Sequence, residues 1–208
     1  MIDIAVVIAV MIVLAAILLP VLAATKHRDS RLNCVSNVKQ IALAFRVWEL
    51  DNNNKNPMAI SVTNGGAMEL IAAGNVAGCF QMMSNVLSTP KVLICPADTG
   101  HLPATDFQND FNSSHISYFI NPDARQAYPQ MILSGDDNLA INGVPVKSGL
   151  VVLPSAAQVS WTAARHINVG NISFADGSFS EVSISGLQQA LELSTNGTPT
   201  PIVRLAIP

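Results

Sequence analysis

Charge is scarce in this chain. Asp, Glu, Lys and Arg make up 12% of its 208 residues, about half of the roughly 25% usual for globular domains. Part of its surface is therefore expected to face something other than water. The net charge is −3, and no Lys/Arg stripe interleaved with aromatics appears, which excludes the electrostatic footprint of nucleic-acid binding. Aromatic residues reach only 5% and no CxxCH haem-attachment motif occurs, which argues against a conductive fibre. No G-x-S-x-G, H-E-x-x-H, P-loop or GxGxxG pattern is present, and no Ser or Cys has a base beside it. The chain is not expected to be an enzyme, and no cofactor or metal is expected.

Cysteine is sparse too. Cys34, Cys79 and Cys95 cannot all pair within one chain, and their spacing fits no CxxC or paired zinc-finger pattern. Cys79 and Cys95 are the candidates for a disulfide in an oxidising compartment. Cys34 falls in a helical pattern and reads as a small apolar residue.

What is present is concentrated at the start. From Ile4 to Ala24 the chain reads IAVVIAVMIVLAAILLPVLAA, about the length needed to cross a bilayer as a helix. Asp3 is its only flanking acid, and an acid at the edge of such a helix needs a cationic partner. Pro20 removes one helical hydrogen bond, a defect that membrane helices tolerate when neighbours compensate. Beyond Ala24 the polarity changes, yet no Gly or Pro follows until Pro57. Cys34, Val38, Ile41, Phe45 and Trp48 recur at steps of four and three, an apolar stripe on which a head domain can pack. Asp51 to Pro57 then supplies a stop signal. The expected organisation is a long N-terminal helix with its terminating loop over residues 1–56, apolar over 1–24 and amphipathic over 25–50, followed by a globular β-rich head over 57–208.

These residues resemble the start of type IV pilin-like proteins. Asp3, Pro20 and the segment Cys34-Val35-Ser36-Asn37-Val38-Lys39-Gln40-Ile41 match the acidic residue, the late proline and the C-x-x-N-x-K-Q-I-like second half of that family's first helix. The family usually has glutamate where Asp3 stands, and a short basic leader ending in Gly before the apolar run. Lys26, Arg28 and Arg31 alone would hold the head in the cytoplasm; a basic leader upstream, which the resemblance implies, would oppose them, and the head is expected outside.

The head reads as α+β with a mostly antiparallel sheet. Short helical patterns occupy Ala67–Gly74 and Cys79–Leu87. Candidate strands are Val92–Ile94, Ile116–Ile120, Met131–Leu133, Leu150–Leu153, Val159–Ala163, Asn171–Ala175 and Phe179–Ile184. Asp176-Gly177 is expected to form a tight two-residue hairpin turn. A helix over Gly186–Leu193 capped by Ser185 and a final strand over Ile202–Pro208 complete the chain, that strand pairing within the chain or with a neighbouring subunit.

His166 precedes Asp176-Gly177 by nine residues, and RHINVGNISFADGSF resembles the H-x9-DG signature of a large pilin-like family. VLICPAD, SYFIN and SGDDN look like the same family's head segments, in the same order. His166 and Asp176 suit a metal or acid–base pair, but the reading preferred from the residues is a turn supported by Asp176 and a His166 hydrogen-bonded to neighbouring backbone. Asp136-Asp137-Asn138 offers oxygen ligands without the spaced acidic ladder of a calcium loop. Asn112, Asn171 and Asn196 begin glycosylation triplets.

The resemblance implies a type IV pilin-like fold and a structural filament subunit. Such a subunit waits in the inner membrane as a single-pass precursor, is handled by pilus assembly machinery, and ends in an extracellular homo-oligomeric filament. Assembly falls to Asp3, Ile4, Val7, Ile8, Met11, Leu14, Ile17, Leu18 and Pro20, with Asp3 neutralised by a neighbouring chain's terminal amine. The alternatives are a periplasmic pseudopilin of a type II secretion system and a monomeric membrane-anchored binding module.

Overall fold

The computed structural model describes residues 2–153, 157–196, 198 and 202–208. In the first helix it leaves undescribed the side chains of residues 2, 3, 5 and 20–27, so the expected contacts of Asp3 and Pro20 lie outside what is described.

Helix α1 runs over Ile2–Asp51, about 75 Å at 1.5 Å per residue. Three asparagines end it. Asn53 and Asn54 adopt left-handed backbone with φ of 57° and 56°, a conformation that Asn tolerates at helix ends. The Asn52 side chain donates to Trp48 O at 2.8 Å, and Asn54 N to Glu49 O at 2.8 Å, closing the last carbonyls. The two halves of α1 have opposite surroundings. Ile4, Val7, Ile8, Met11, Leu14, Ile17 and Leu18 are all exposed, whereas Cys34, Val38, Ile41, Phe45 and Trp48 are all buried in the head. Among the described residues no helix is long and apolar enough to cross a membrane; the continuously described apolar stretch, Val6–Leu19, is shorter than the roughly 20 residues a span requires.

The head is α+β. After α1 come three short helices, α2 (Met68–Ala72), α3 (Val76–Met82) and α4 (Ser84–Leu87). The strands follow: β1 (Tyr118–Ile120), β2 (Ile132–Asp136), β3 (Leu139–Ile141), β4 (Val144–Pro145), β5 (Gly149–Leu153), β6 (Val159–Trp161), β7 (Val169–Phe174) and β8 (Phe179–Ser183). Helix α5 (Ile184–Thr195) and β9 (Val203–Ile207) close the chain. The main sheet has the order β5-β9-β1-β2-β7-β8, a smaller one β4-β3-β6, and every described pairing is antiparallel. Strand β9 pairs with β5 over its whole length and touches β1 at Ile120 opposite Ala206, so the final strand sits inside its own chain's sheet.

Alternation along the strands sends one face to α1 and the other to α5. Tyr118, Ile120 and Leu133 join the core beneath α1, while Phe119, Ile132 and Leu205 join Leu187 and Ala190 of α5. Beside the sheet, Arg31 forks onto Glu181 of β8 through Nε and Nη2, and Lys39 Nζ lies 5.7 Å from the centre of the Phe179 ring.

Several local expectations are corrected. Val92–Ile94 is no strand: Pro90 fits the first turn of a 3-10 helix, Pro90–Leu93, and Thr89 Oγ1 accepts from Lys91 N. The Asp176-Gly177 turn is a three-residue loop. Ser173 pairs with Phe179, Gly177 N donates to Phe174 O, and only Gly177, at φ 87°, has positive φ. The extra residue sits as a glycine bulge beside a type I turn. Ser183, not Ser185, caps α5, accepting from Gly186 N at 3.2 Å. A second hairpin, β3–β4, turns at Asn142-Gly143, both with positive φ.

Phe45 lies wholly inside the head core and Leu43 on the outer side of the same helix, 60% exposed. Phe45→Ala is expected to lower the unfolding free energy by about 3–5 kcal/mol. Leu43→Ala should stay within about 0.5 kcal/mol. Urea unfolding of the detergent-solubilised full chain, followed by tryptophan fluorescence, measures both.

Candidate functional site

At residue 34 α1 reaches the sheet, and four groups with metal-ligating chemistry meet there. Sγ of Cys34, Sγ of Cys95, a carboxylate oxygen of Asp136 and a ring nitrogen of His166 all lie within 4.8 Å of one another, and all four residues are buried. Each comes from a different element. Cys34 is on α1, Cys95 follows the Pro90–Leu93 helix, Asp136 ends β2, and His166 lies in the loop between β6 and β7.

Strand irregularity aims Asp136. The register between β2 and β7 slips by one residue between Ile132 and Ser134, and a bulge of this kind changes which face the following side chains use. Asp136 then stands directly opposite Tyr118, and both point at α1. Cys34 Sγ lies 3.2 Å from Asp136 Oδ1 and 3.3 Å from the Tyr118 hydroxyl. The other carboxylate oxygen accepts from Asn171 N at 2.7 Å and Asn171 Nδ2 at 3.0 Å. Cys95 Sγ is 3.2 Å from His166 Nε2.

Burial and proximity set the protonation tendencies. The Cys95 thiol is lowered to about 6, first by the hydrogen bond from Cys34 and also by His166, against the opposing effect of burial. Cys34 is pushed up by that same bond to Cys95 and by burial. Burial also raises Asp136 and Tyr118. For His166, burial alone favours the neutral ring, but Cys95 and Asp136 outweigh it and raise its pKa. A thiolate beside an imidazolium resembles an activated nucleophile. Both residues are buried, Cys95 at 0% and His166 at 7% exposure.

Arg165, immediately before His166, braces the surroundings. Its Nη2 donates to Asp98 Oδ2 at 2.5 Å, and its Nη1 donates to Ser117 O at 2.8 Å and pairs with Asp137 Oδ1 at 2.5 Å. Asp98 also accepts from Ser117 Oγ, Gly100 N and the His101 ring. Burial works against the charged form of Asp98, but Arg165 and these donors outweigh it and lower its pKa. Asp137 has fewer donors, and burial raises it. One guanidinium thus ties together the segments carrying Cys95, Tyr118, Asp136 and His166.

The structure redistributes the residues singled out from sequence. His166 and Asp176 do not act as a pair. Asp176 Oδ1 accepts from Ser178 N and Oγ within its turn, while the His166 ring turns to Cys95 rather than to backbone. The Cys79–Cys95 bridge does not form. All three cysteines are free, Cys95 faces Cys34, and Cys79 is fully buried in apolar surroundings that push its thiol up to about 12. Asp136, Asp137 and Asn138 diverge to the cluster, to Arg165 and to Thr162 O, so they frame no calcium loop. Asn171, at 1% exposure, is closed to glycosylation. The sequence points to none of the four as a cluster: Cys34 reads as an apolar stripe residue, Cys95 as a disulfide candidate, His166 as a partner of Asp176 or of backbone, and Asp136 as part of Asp136-Asp137-Asn138. The available signal is an acidic pair separated by two residues from the apolar run Met131–Leu133.

Comparison with protein-family models, curated proteins and solved structures finds no match for this chain. The pilin resemblance rests on its own residues.

Arg165→Met should cost about 3–5 kcal/mol of stability, because it leaves Asp98 and Asp137 buried without their cation. Arg165→Lys should restore only part of this, since an ammonium cannot reproduce the planar fork. Chemical denaturation of the two variants beside the parent chain gives the comparison.

Proposed function

We propose that this chain is a structural subunit of a type IV pilus-like filament, assembled by packing the apolar half of α1 against copies of itself. One observation carries the reading. A single helix buries its C-terminal stripe in its own head but leaves Ile4, Val7, Ile8, Met11, Leu14, Ile17 and Leu18 from 49% to 67% exposed. A contiguous apolar surface of this kind marks an interaction site. Lipid before assembly and neighbouring helices afterwards both cover it, and the uninterrupted run Ile4–Ala24 in the sequence suits both. Asp3 would meet a neighbouring chain's terminal amine, a contact that sets register in a low-dielectric core. Repetition of a head-to-tail contact that does not close generates a fibre.

A scaffold role for the head agrees with the burial of Cys95 and His166, the nucleophile–base pair described above. The subunit would sit in the inner membrane as a single-pass precursor and then in a filament on the cell surface.

Electron microscopy of sheared surface material tests this. Cells carrying the parent chain should yield filaments built from it. Asp3→Ala should remove the filaments while the head keeps its circular dichroism and unfolding transition. Short periplasmic rods in place of surface fibres would point to a secretion pseudopilin. Recovery of abundant protein only as a detergent-solubilised monomer would instead support a membrane-anchored binding module.

A further inference from the structure

We propose that Cys34, Cys95, Asp136 and His166 form a closed tetrahedral zinc site that pins α1 to the head. The inference is independent of the filament reading, because it concerns only how the chain holds itself together.

Ligand chemistry is the first argument. Thiolate, imidazole and carboxylate are all zinc donors, and a structural zinc is held by four protein ligands with no open position. The soft sulfur donors disfavour calcium, magnesium and manganese. Geometry is the second. Bonds of about 2.3 Å to sulfur and 2.0–2.2 Å to nitrogen or oxygen imply tetrahedral edges of about 3.3–3.8 Å. Two edges of the cluster measure 3.2 Å, Cys34 to Asp136 and Cys95 to His166, and none exceeds 4.8 Å. Movements of a few tenths of an ångström to about one ångström convert the cluster into a coordination shell.

Outer contacts are the third argument. Ligating carboxylates in such sites are hydrogen-bonded from behind, and Asp136 Oδ2 takes two donors from Asn171 while Oδ1 faces Cys34. The Tyr118 hydroxyl is placed to donate to the Cys34 sulfur. Arg165 fixes the backbone next to His166 and, through Asp137, next to Asp136. A surface groove of about 520 Å³, lined by Asn37, Lys91, Cys95, Asp98 and His101 among others, lies against the Cys95 segment. Binding requires both sulfurs as thiolates, the imidazole neutral and the carboxylate ionised, so whatever protons these four groups carry are released to solvent. With two thiolates and a carboxylate the centre carries one net negative charge, and the nearby Arg165 cation opposes it. No bond between protein atoms is made or broken.

The test uses the detergent-solubilised full chain, isolated without added reductant and then exposed to zinc chloride and dialysed. About one zinc per chain is expected by elemental analysis, the stoichiometry of a single four-ligand site. Cobalt chloride should give a thiolate-to-cobalt charge-transfer band together with intense tetrahedral d–d absorption. Cys34→Ser and His166→Ala should lose the bound zinc, whereas Cys79→Ser, which removes the buried thiol outside the cluster, should keep it. Chelation should lower the thermal midpoint of the parent and expose two thiols to reagent. A Cys34–Cys95 disulfide in the isolated protein, absence of the cobalt band from the parent, or equal zinc retention in Cys34→Ser and Cys79→Ser would each overturn the proposal.

Discussion

The fold depends on one contact, that between the second half of α1 and the face of the sheet beneath it. Remove it and both Tyr118, Ile120 and Leu133 on the sheet and Val38, Ile41, Phe45 and Trp48 on the helix lose their cover. The helices α2 to α4 pack around the same core and cannot replace it, being only a turn or two long. On the opposite face α5 covers Phe119, Ile132 and Leu205 by the same logic. The sheet is thus a middle layer between two helices, and the longer of these continues well beyond it.

Apolar contact alone fixes that helix poorly along its own axis. A helix face repeats after a turn or two, so sliding α1 by one turn, about 5.4 Å, exchanges one set of aliphatic contacts for another of similar kind. Polar contacts do not repeat in this way. Cys34 meets Tyr118 and Asp136, Asn37 Nδ2 donates to Ile94 O at 2.8 Å, and Arg31 forks onto Glu181. A slide of one turn would break all of these and leave the buried Asp136 with only its donors from Asn171, a cost because a buried charge needs its partners. The polar residues therefore set the register, while the apolar ones supply most of the stabilisation.

Much of the architecture could be read from local pattern. The four-and-three spacing from Cys34 to Trp48, the asparagine stop at the end of α1 and the alternating strands around Asp176-Gly177 are all short-range signals. Local pattern misleads where two signals compete. Val92–Ile94 looks β-forming, but Thr89-Pro90 starts a 3-10 turn; the Asn142-Gly143 hairpin leaves little pattern because its strands are short and Pro145 lies in one of them. The cluster was illegible for a different reason. Cys34 and Asp136 are 102 residues apart, and Cys95 and His166 are 71 apart. No spacing rule links them, and a helix, a 3-10 turn, a bulged strand and a loop must all be in place before they meet.

The position of the cluster follows from the shape of the molecule. Along the described part of α1, Cys34 is the first buried side chain, and the helix N-terminal to it is exposed wherever its side chains are described, apart from half-buried Ser30. A rod anchored in a globular base concentrates any pull or torque at the point of entry, because contacts farther in are loaded only after the outermost ones yield. Aliphatic packing at that point would give way gradually, by sliding. A polar cluster gathered from four separate elements cannot slide, and it spreads the load from one helix over the Cys95 loop, β2 and the His166 loop together. A buried polar contact thus sits at the helix's point of entry, where a specific, non-repeating attachment has a large mechanical effect.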